Sequence, residues 1–368
     1  MKNIFKYIAV AFSLCTVFAA CTSDDDEPKG AELPVLSDYI YINGEKVAFD
    51  KFSNEIKPLS EQTPEHPVSV TLSQAGTLAA ALSGKTADMD ALTIAGPVDA
   101  SDMRYVVECA RNHYLIHLDL TDAVFANNTI PDGAMAATSI EGEGRKALVR
   151  QAIFHLSLPK NIEVIGEGAF RGLQIVDLEF PVTLQVLKSE SFRNNYLCSG
   201  DLVFPEGVKE IGPFAFDSEQ SVASGIGRIE LPSTLELLGA YSFRNVKSKE
   251  IIIKDGIKTI GAVAFEGNTS VEKVEIPSSV TQLGGSSMGS FASLKELYCY
   301  NPEPPMAGVQ VIMEFEGDVE PLRASAFMSY PGLIFLPVSA NVYVPKGSAE
   351  KYRQAEGWEY FENFVEME

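Results

Sequence analysis

Between residues 156 and 288 the apolar positions recur with a period near 23 residues. An apolar-x-apolar triplet opens each unit: Leu156-Ser157-Leu158, Leu178-Glu179-Phe180, Leu202-Val203-Phe204, Ile229-Glu230-Leu231, Ile251-Ile252-Ile253 and Val274-Glu275-Ile276. The fourth position is Pro159, Pro181, Pro205, Pro232, Lys254 and Pro277, spaced 22, 24, 27, 22 and 23 residues apart. Three residues on stand Ile162, Leu184, Val208, Leu235, Ile257 and Val280; six on stand Ile165, Leu187, Ile211, Leu238, Ile260 and Leu283. Seven on is Gly166, Gly212, Gly239, Gly261 or Gly284, with Lys188 the exception. Ten on is always small (Ala169, Ser191, Ala215, Ser242, Ala264, Ser287), and eleven on is Phe170, Phe192, Phe216, Phe243, Phe265 or Met288.

Each column predicts a local structure. Apolar-x-apolar is a short strand with two side chains inward and one outward. Pro ends it, because Pro cannot donate to a ladder. The Gly is expected to take a backbone conformation awkward for other residues, and the small-Phe pair to send a ring into the interior. A unit this short cannot bury its own apolar face, so it must stack on its neighbours. The expected fold is an α/β repeat solenoid, β-rich, of ~23-residue coils with short strands.

Strings such as IELPSTLELLGAYSF and VEIPSSVTQLGGSSM resemble the BspA-like class of leucine-rich repeats found in bacterial surface proteins. LTIAGPVDASDMRYV and LIHLDLTDAVFANNTIPDGAM resemble the opening repeats of such proteins, with Ala134-Met135 in place of small-Phe. LKELYCYNPEPP starts a further repeat, Ala326-Phe327 closes a degenerate one, and Asn341-Val342-Tyr343-Val344-Pro345 with GSAEKYRQAEGWEYF resembles a C-terminal cap. The resulting division is a signal segment at 1–20, an acidic tether at 21–34, a small β-containing segment at 35–75, the solenoid at 76–340 and the cap at 341–368. Within 35–75, Asn43-Gly44 marks a hairpin and residues 50–67 an irregular connection; Thr77 to Leu82 predicts a helix leading into the first coil.

The N-terminus carries an address. Lys2 and Lys6 precede fourteen uncharged residues, Tyr7 to Ala20, a run that fits a secretory h-region and is too short for a bilayer core of roughly 30 Å. Val17-Phe18-Ala19-Ala20-Cys21 resembles a bacterial lipobox, which implies diacylglycerol on Cys21 and removal of the preceding peptide. Asp24, Asp25 and Asp26 form an acidic run resembling a surface-export signal of outer-membrane lipoproteins. The resemblance implies an outer-membrane lipoprotein exposed on the cell surface, held by its lipid alone.

Lys and Arg number 29 against 50 Asp and Glu, a net charge of −21. That balance excludes a phosphate-binding footprint for nucleic acid. His113 and His117, four apart, lack a third ligand nearby for zinc. Gly166-x-Gly168-x-x-x-Gly172 is explained by the repeat, and Gly142-x-Gly144-Arg145-Lys146 completes no phosphate-loop fingerprint. No nucleophile–base set stands out, so no catalytic residue, metal or cofactor is expected. Cys299 reads as an inward core position, and Cys198, about four repeats away, as too distant for a disulfide with it.

The outward middle of each strand (Ser157, Glu179, Val203, Glu230, Ile252, Glu275, Tyr298) and the residues two before it (His155, Asp177, Asp201, Arg228, Glu250, Lys273, Glu296) form a largely acidic ribbon. Solenoids bind through such extended surfaces. The candidate face is Glu230, Ile252, Glu275 and Tyr298, with Tyr298 the expected anchor; an irregular insertion at 302–320 is the alternative site. The expected function is non-enzymatic recognition or adhesion of an extracellular protein or glycan; a structural spacer or envelope-assembly component is the alternative.

Overall fold

Each apolar-x-apolar triplet forms a strand that pairs in parallel with its counterpart one coil away. The computed structural model describes residues 39–42, 45–48, 63–112, 115, 117–136, 139–142, 145–148, 155–173, 175, 177–195, 200–218, 226–315, 318–328 and 339–368. Pro67–Thr71, Ala91–Val98, His117–Asp119, His155–Ser157 and Asp177–Leu178 pair in that order. A second long-strand sheet runs Gly200–Val203, Ile226–Leu231, Glu250–Ile253, Lys273–Ile276, Glu296–Cys299, Asn341–Val344 and Asn363–Glu366. Opposite them, two-residue strands make a continuous third sheet: Thr129–Ile130, Val164–Ile165, Val186–Leu187, Glu210–Ile211, Leu237–Leu238, Thr259–Ile260 and Gln282–Leu283. The architecture is a parallel β-solenoid.

Among the described residues no strand pairing joins Asp177–Leu178 to Gly200–Val203, so the long-strand side has a seam. The short-strand sheet crosses it unbroken, with Val186 opposite Glu210. Phe180 and Phe204 bridge it as stacked rings with centroids 4.8 Å apart.

The Phe column is the core. Phe170, Phe192, Phe216, Phe243 and Phe265 stack at successive centroid separations of 5.1, 5.2, 5.1 and 5.5 Å, all buried. Offset-stacked aromatic pairs contribute beyond their area burial. The small residue before each ring also packs without exposure, although the Ser191, Ser242 and Ser287 hydroxyls find no hydrogen-bond partner.

The Gly column corrects the sequence expectation. Gly166, Gly212, Gly239, Gly261 and Gly284 do not have positive φ. They are required because the coils touch there: a Cβ on Gly239 would lie 2.3 Å from Pro213 N, and one on Gly261 2.6 Å from Leu238 O. The left-handed residue stands two positions later and is mostly not glycine. Glu190, Phe214, Tyr241, Val263 and Ser286 take φ of 54–59°. Each donates its amide to the next coil, as in Tyr241 N–H to Ala262 O (3.0 Å) and Val263 N–H to Gly285 O (2.9 Å). Those inter-coil bonds hold a conformation that costs roughly 1–2 kcal/mol for a residue with a Cβ.

The N-terminal coils are built differently. Helix α1 (Leu78–Ala81) lies where a helix was expected, but α2 (Ala100–Asn112) was not foreseen and replaces the turn-rich return. Asp102 is buried and its carboxylate accepts from Gly76 N (2.8 Å), Leu78 N (2.9 Å) and Asp99 N (3.0 Å), tying the two helix starts together. Pro67–Thr71 pairs residue for residue with Ala91–Ala95, so the solenoid begins before the expected boundary at 75. Tyr39–Ile42 pairs antiparallel with Glu45–Ala48, Ile42 opposite Glu45, while the expected turn residues Asn43 and Gly44 lie outside the described residues. Within the expected irregular insertion and beyond it, Gly308–Phe315 pairs antiparallel with Asp318–Ser325, two regular eight-residue strands. Beyond it the cap adds α3 (Ala349–Gln354), and buried Trp358 and Tyr352 donate to Pro305 O (2.8 Å) and Asn301 O (2.7 Å).

Candidate functional site

Parallel pairing converts the sequence columns into rows across the sheet. Val203 lies opposite Glu230, Glu230 opposite Ile252, Ile252 opposite Glu275, Glu275 opposite Tyr298 and Tyr298 opposite Tyr343. The four candidate residues are therefore neighbours on one face. Tyr343 and, opposite it, Val365 extend the row. Sequence spacing hid both, because the cap departs from the repeat length.

The charged residues on this face are largely committed to one another. Lys273 Nζ contacts Glu275 Oε1 at 2.6 Å and Glu250 Oε1 at 2.9 Å. Those two carboxylates, Glu275 foremost, hold its ammonium well above the ordinary lysine value. Lys254 Nζ bridges Glu230 Oε1 (3.0 Å) and Glu206 Oε1 (3.2 Å), and its pKa rises through the Glu230 hydrogen bond first. Arg228 Nε lies 3.3 Å from Asp201 Oδ2 and 3.4 Å from Glu230 Oε2. The ribbon is thus an ion-paired lattice with a surplus of carboxylates, not a uniformly acidic strip.

The aromatic end has its own geometry. Tyr298 stacks on Tyr343 at 4.5 Å and 9°, and Lys273 Nζ sits 5.6 Å from the Tyr298 centroid. Both partners come from strands flanking Tyr298. Burial, then Glu296, raises the Tyr298 phenol pKa. Tyr300, 6.4 Å from Tyr298 and 42% exposed, is the ring most open to a partner. It was missed because it falls just beyond the strand triplet. Val203 and Val365 are also exposed; the row alternates apolar and acidic residues from Val203 to Glu275 and is aromatic and apolar from Tyr298 to Val365.

Other expected sites fall as follows. Cys21, Asp24, Asp25, Asp26, His113 and Cys198 lie outside the described residues. His117 stacks on His155 of the next strand, centroids 4.3 Å apart. Among the described residues no three His, Cys, Asp or Glu side chains group to hold a metal ion. Cys299 is fully buried, and burial pushes its thiol pKa far up. No described helix is long and apolar enough to cross a membrane.

On the turn side, buried Asp217 is clamped between coils. Arg193 Nε reaches its Oδ2 at 3.1 Å, and Arg244 Nε and Nη2 reach its two oxygens at 2.7 and 3.1 Å. Phe214 and Tyr241 stack at 4.7 Å beside them, with Arg193 and Arg244 each 5.0 Å from a ring centroid. Burial raises the Glu266 carboxyl pKa nearby and lowers that of Lys247. The sequence signal for this cluster is a repeat column that was missed: Arg193, Asp217 and Arg244 each directly follow the core Phe of their coil.

A model of the BspA type leucine rich repeat region, in six copies, matches residues 144–225 and 220–302. Similar solved structures include a leucine-rich repeat protein from Bacteroides ovatus (15% identity, 82% of each chain covered, TM-score 0.39). Others are the pneumococcal vaccine antigen PcpA (14% identity, 76% of this chain and 80% of that one, TM-score 0.30) and a leucine rich cell surface protein from Faecalibacterium prausnitzii (12% identity, 93% and 96%, TM-score 0.28). No curated protein matches the sequence.

Proposed function

Because residues 144–302 are BspA-type leucine-rich repeats, we propose that this chain is a non-enzymatic recognition protein. Its second long-strand sheet binds a protein partner outside the cell. The observation that carries this reading is the row Val203, Glu230, Ile252, Glu275, Tyr298, Tyr343 and Val365, in register on one face, with Tyr300 beside its aromatic end. Exposed apolar and aromatic residues set among charged ones suit a protein surface. Tyr298 itself offers no free ring face to a glycan, being flanked by Tyr343 and Lys273. Carboxylates outnumber cations on the face: Asp201, Glu206, Glu230, Glu250, Glu275 and Glu296 against Arg228, Lys254 and Lys273. The favoured partner is therefore basic, and its association should weaken with salt.

In this reading Cys21 carries the lipid and Asp24–Asp26 directs the chain to the outer surface. Cys21→Ala then loses labelled palmitate and leaves the membrane fraction; continued labelling would remove the anchor from the proposal. For the face, the chain is applied to arrays of extracellular-matrix proteins and of glycans. Retention on a protein should drop tenfold or more in Ile252→Ser/Tyr298→Ser and in Tyr300→Ser, with melting nearly unchanged. Retention only on glycans, or protein retention indifferent to both variants, overturns the proposal.

A further inference from the structure

The turn edge that follows the long strands is mostly satisfied by its own side chains. Directly after the fourth position, Glu206 accepts from Ser233 N and Oγ (3.1 and 2.8 Å), and Asp255 accepts from Ser278 Oγ and Ser279 N (3.0 and 3.1 Å). Lys160 pairs with Asp122 at 2.6 Å. In the adjacent column, Thr183 and Thr234 donate to the Ile162 and Val208 carbonyls one coil back (2.7 and 2.8 Å).

Gly207 interrupts this column, and it differs from the other glycine there. A Cβ on Gly256 would meet Ser233 O at 1.9 Å, so at Gly256 the coils are in contact. Gly207 has a φ of 114°, which favours glycine, and a Cβ there would make only ordinary contact with Leu184 O at 3.7 Å and Val182 O at 3.8 Å. A groove of about 350 Å³ here is lined by Glu163, Val182, Thr183, Gln185, Gly207 and Lys209, drawn from three successive coils. Val182 stands where the other coils carry polar residues and is 80% exposed. The Gln185 amide and the Lys209 ammonium make no hydrogen bond or ion pair with the described residues. Glu163 gives one oxygen, Oε1, to Asn128 Nδ2 at 2.9 Å.

We propose that this groove is a saccharide site, separate from the strand face. The groove offers an amide, an ammonium, a carboxylate oxygen and a hydroxyl around one pair of methyl groups. Donors and acceptors beside a small apolar surface match a sugar ring, which has hydroxyls on its rim and C–H groups on its face. The charges of Glu163 and Lys209 cancel in a site open to water, which favours a neutral ligand over an anion or a cation. The volume lies at the low end of the ~300–1,000 Å³ typical of small-molecule clefts, room for a single ring or a disaccharide. So shallow a site should bind with a Kd near the millimolar range, about −4 kcal/mol.

Saturation-transfer NMR on the purified full chain tests this, with methyl glucoside, galactoside and mannoside, N-acetylglucosamine and N-acetylgalactosamine as probes and free leucine as a zwitterionic comparison. The expected result is transfer to at least one sugar, reduced tenfold or more in Gln185→Ala/Lys209→Ala and in Val182→Asp. All three residues are on the surface, so the melting curve should be preserved, as should retention on protein arrays. Transfer to none of the sugars, transfer to leucine alone, or sugar transfer unaffected by both variants overturns the proposal.

Discussion

The turn side and the strand side of this solenoid come from the same repeats and use their side chains differently. On the turn side the coils from Phe170 to Phe265 are locked together: Phe rings stack, left-handed residues donate across the gap, and Asp217 holds two arginines. On the strand side the outward residues lie in equally strict register, yet their rings and methyls stay partly exposed. The contrast shows that register alone does not make a surface structural. What distinguishes the sides is whether the side chains are used up by their neighbours.

Breaking the locked side should cost far more than altering the open one. Phe243→Ala should lose about 3–5 kcal/mol, the usual range for truncating a buried Phe, measured by urea unfolding. A loss below about 1 kcal/mol would mean the ring column does not hold the coils. Asp217→Ala should cost about 3 kcal/mol, because Arg193 and Arg244 then lose their shared partner; Arg244→Ala should be milder, since Arg193 still pairs with Asp217. Equal effects would show that the clamp does not act as a unit.

Two smaller effects sharpen the comparison. Ser286→Gly should stabilise by about 0.5–1 kcal/mol, because glycine relieves the left-handed φ and removes a buried hydroxyl without a partner. Destabilisation would mean the hydroxyl is satisfied after all. The smallest effect is on pH dependence. Burial raises the folded-state pKa of Glu266, so its contribution is fully present below the ordinary glutamate pKa and is lost as pH rises through the folded value. Glu266→Gln should therefore flatten the decline in stability over that window relative to the parent chain. An unchanged slope would assign the decline to other groups.

Much of this was legible because the repeat is translational. Once Ile229, Ile251 and Val274 share a column, parallel pairing forces Glu230, Ile252 and Glu275 to be neighbours, and the structure agrees. Tyr343 was out of reach for the same reason, since the cap breaks the count. The glycine column was recognised but misread: a sequence shows that a side chain is absent, not whether φ or a neighbouring backbone excludes it. Helix α2 was hidden inside a string that resembles a repeat; Arg193, Asp217 and Arg244 do share a column, each directly after the core Phe, but a polar column carries no apolar periodicity to draw notice.

The seam between Asp177–Leu178 and Gly200–Val203 has a mechanical consequence. Under load along the coil axis, the other junctions between Thr129 and Leu283 resist through strand pairs on both sides at once. At the seam no strand pair joins the described residues of the strand side, where Phe180 contacts Phe204 and Phe216, while the turn side keeps its hydrogen bonds, such as Phe192 N–H to Ala215 O at 2.7 Å. The two blocks of coils will therefore yield there as a hinge before they separate, opening toward the strand side. Stretching would change the spacing between the two halves of the strand face while leaving the row from Glu230 to Tyr343 intact.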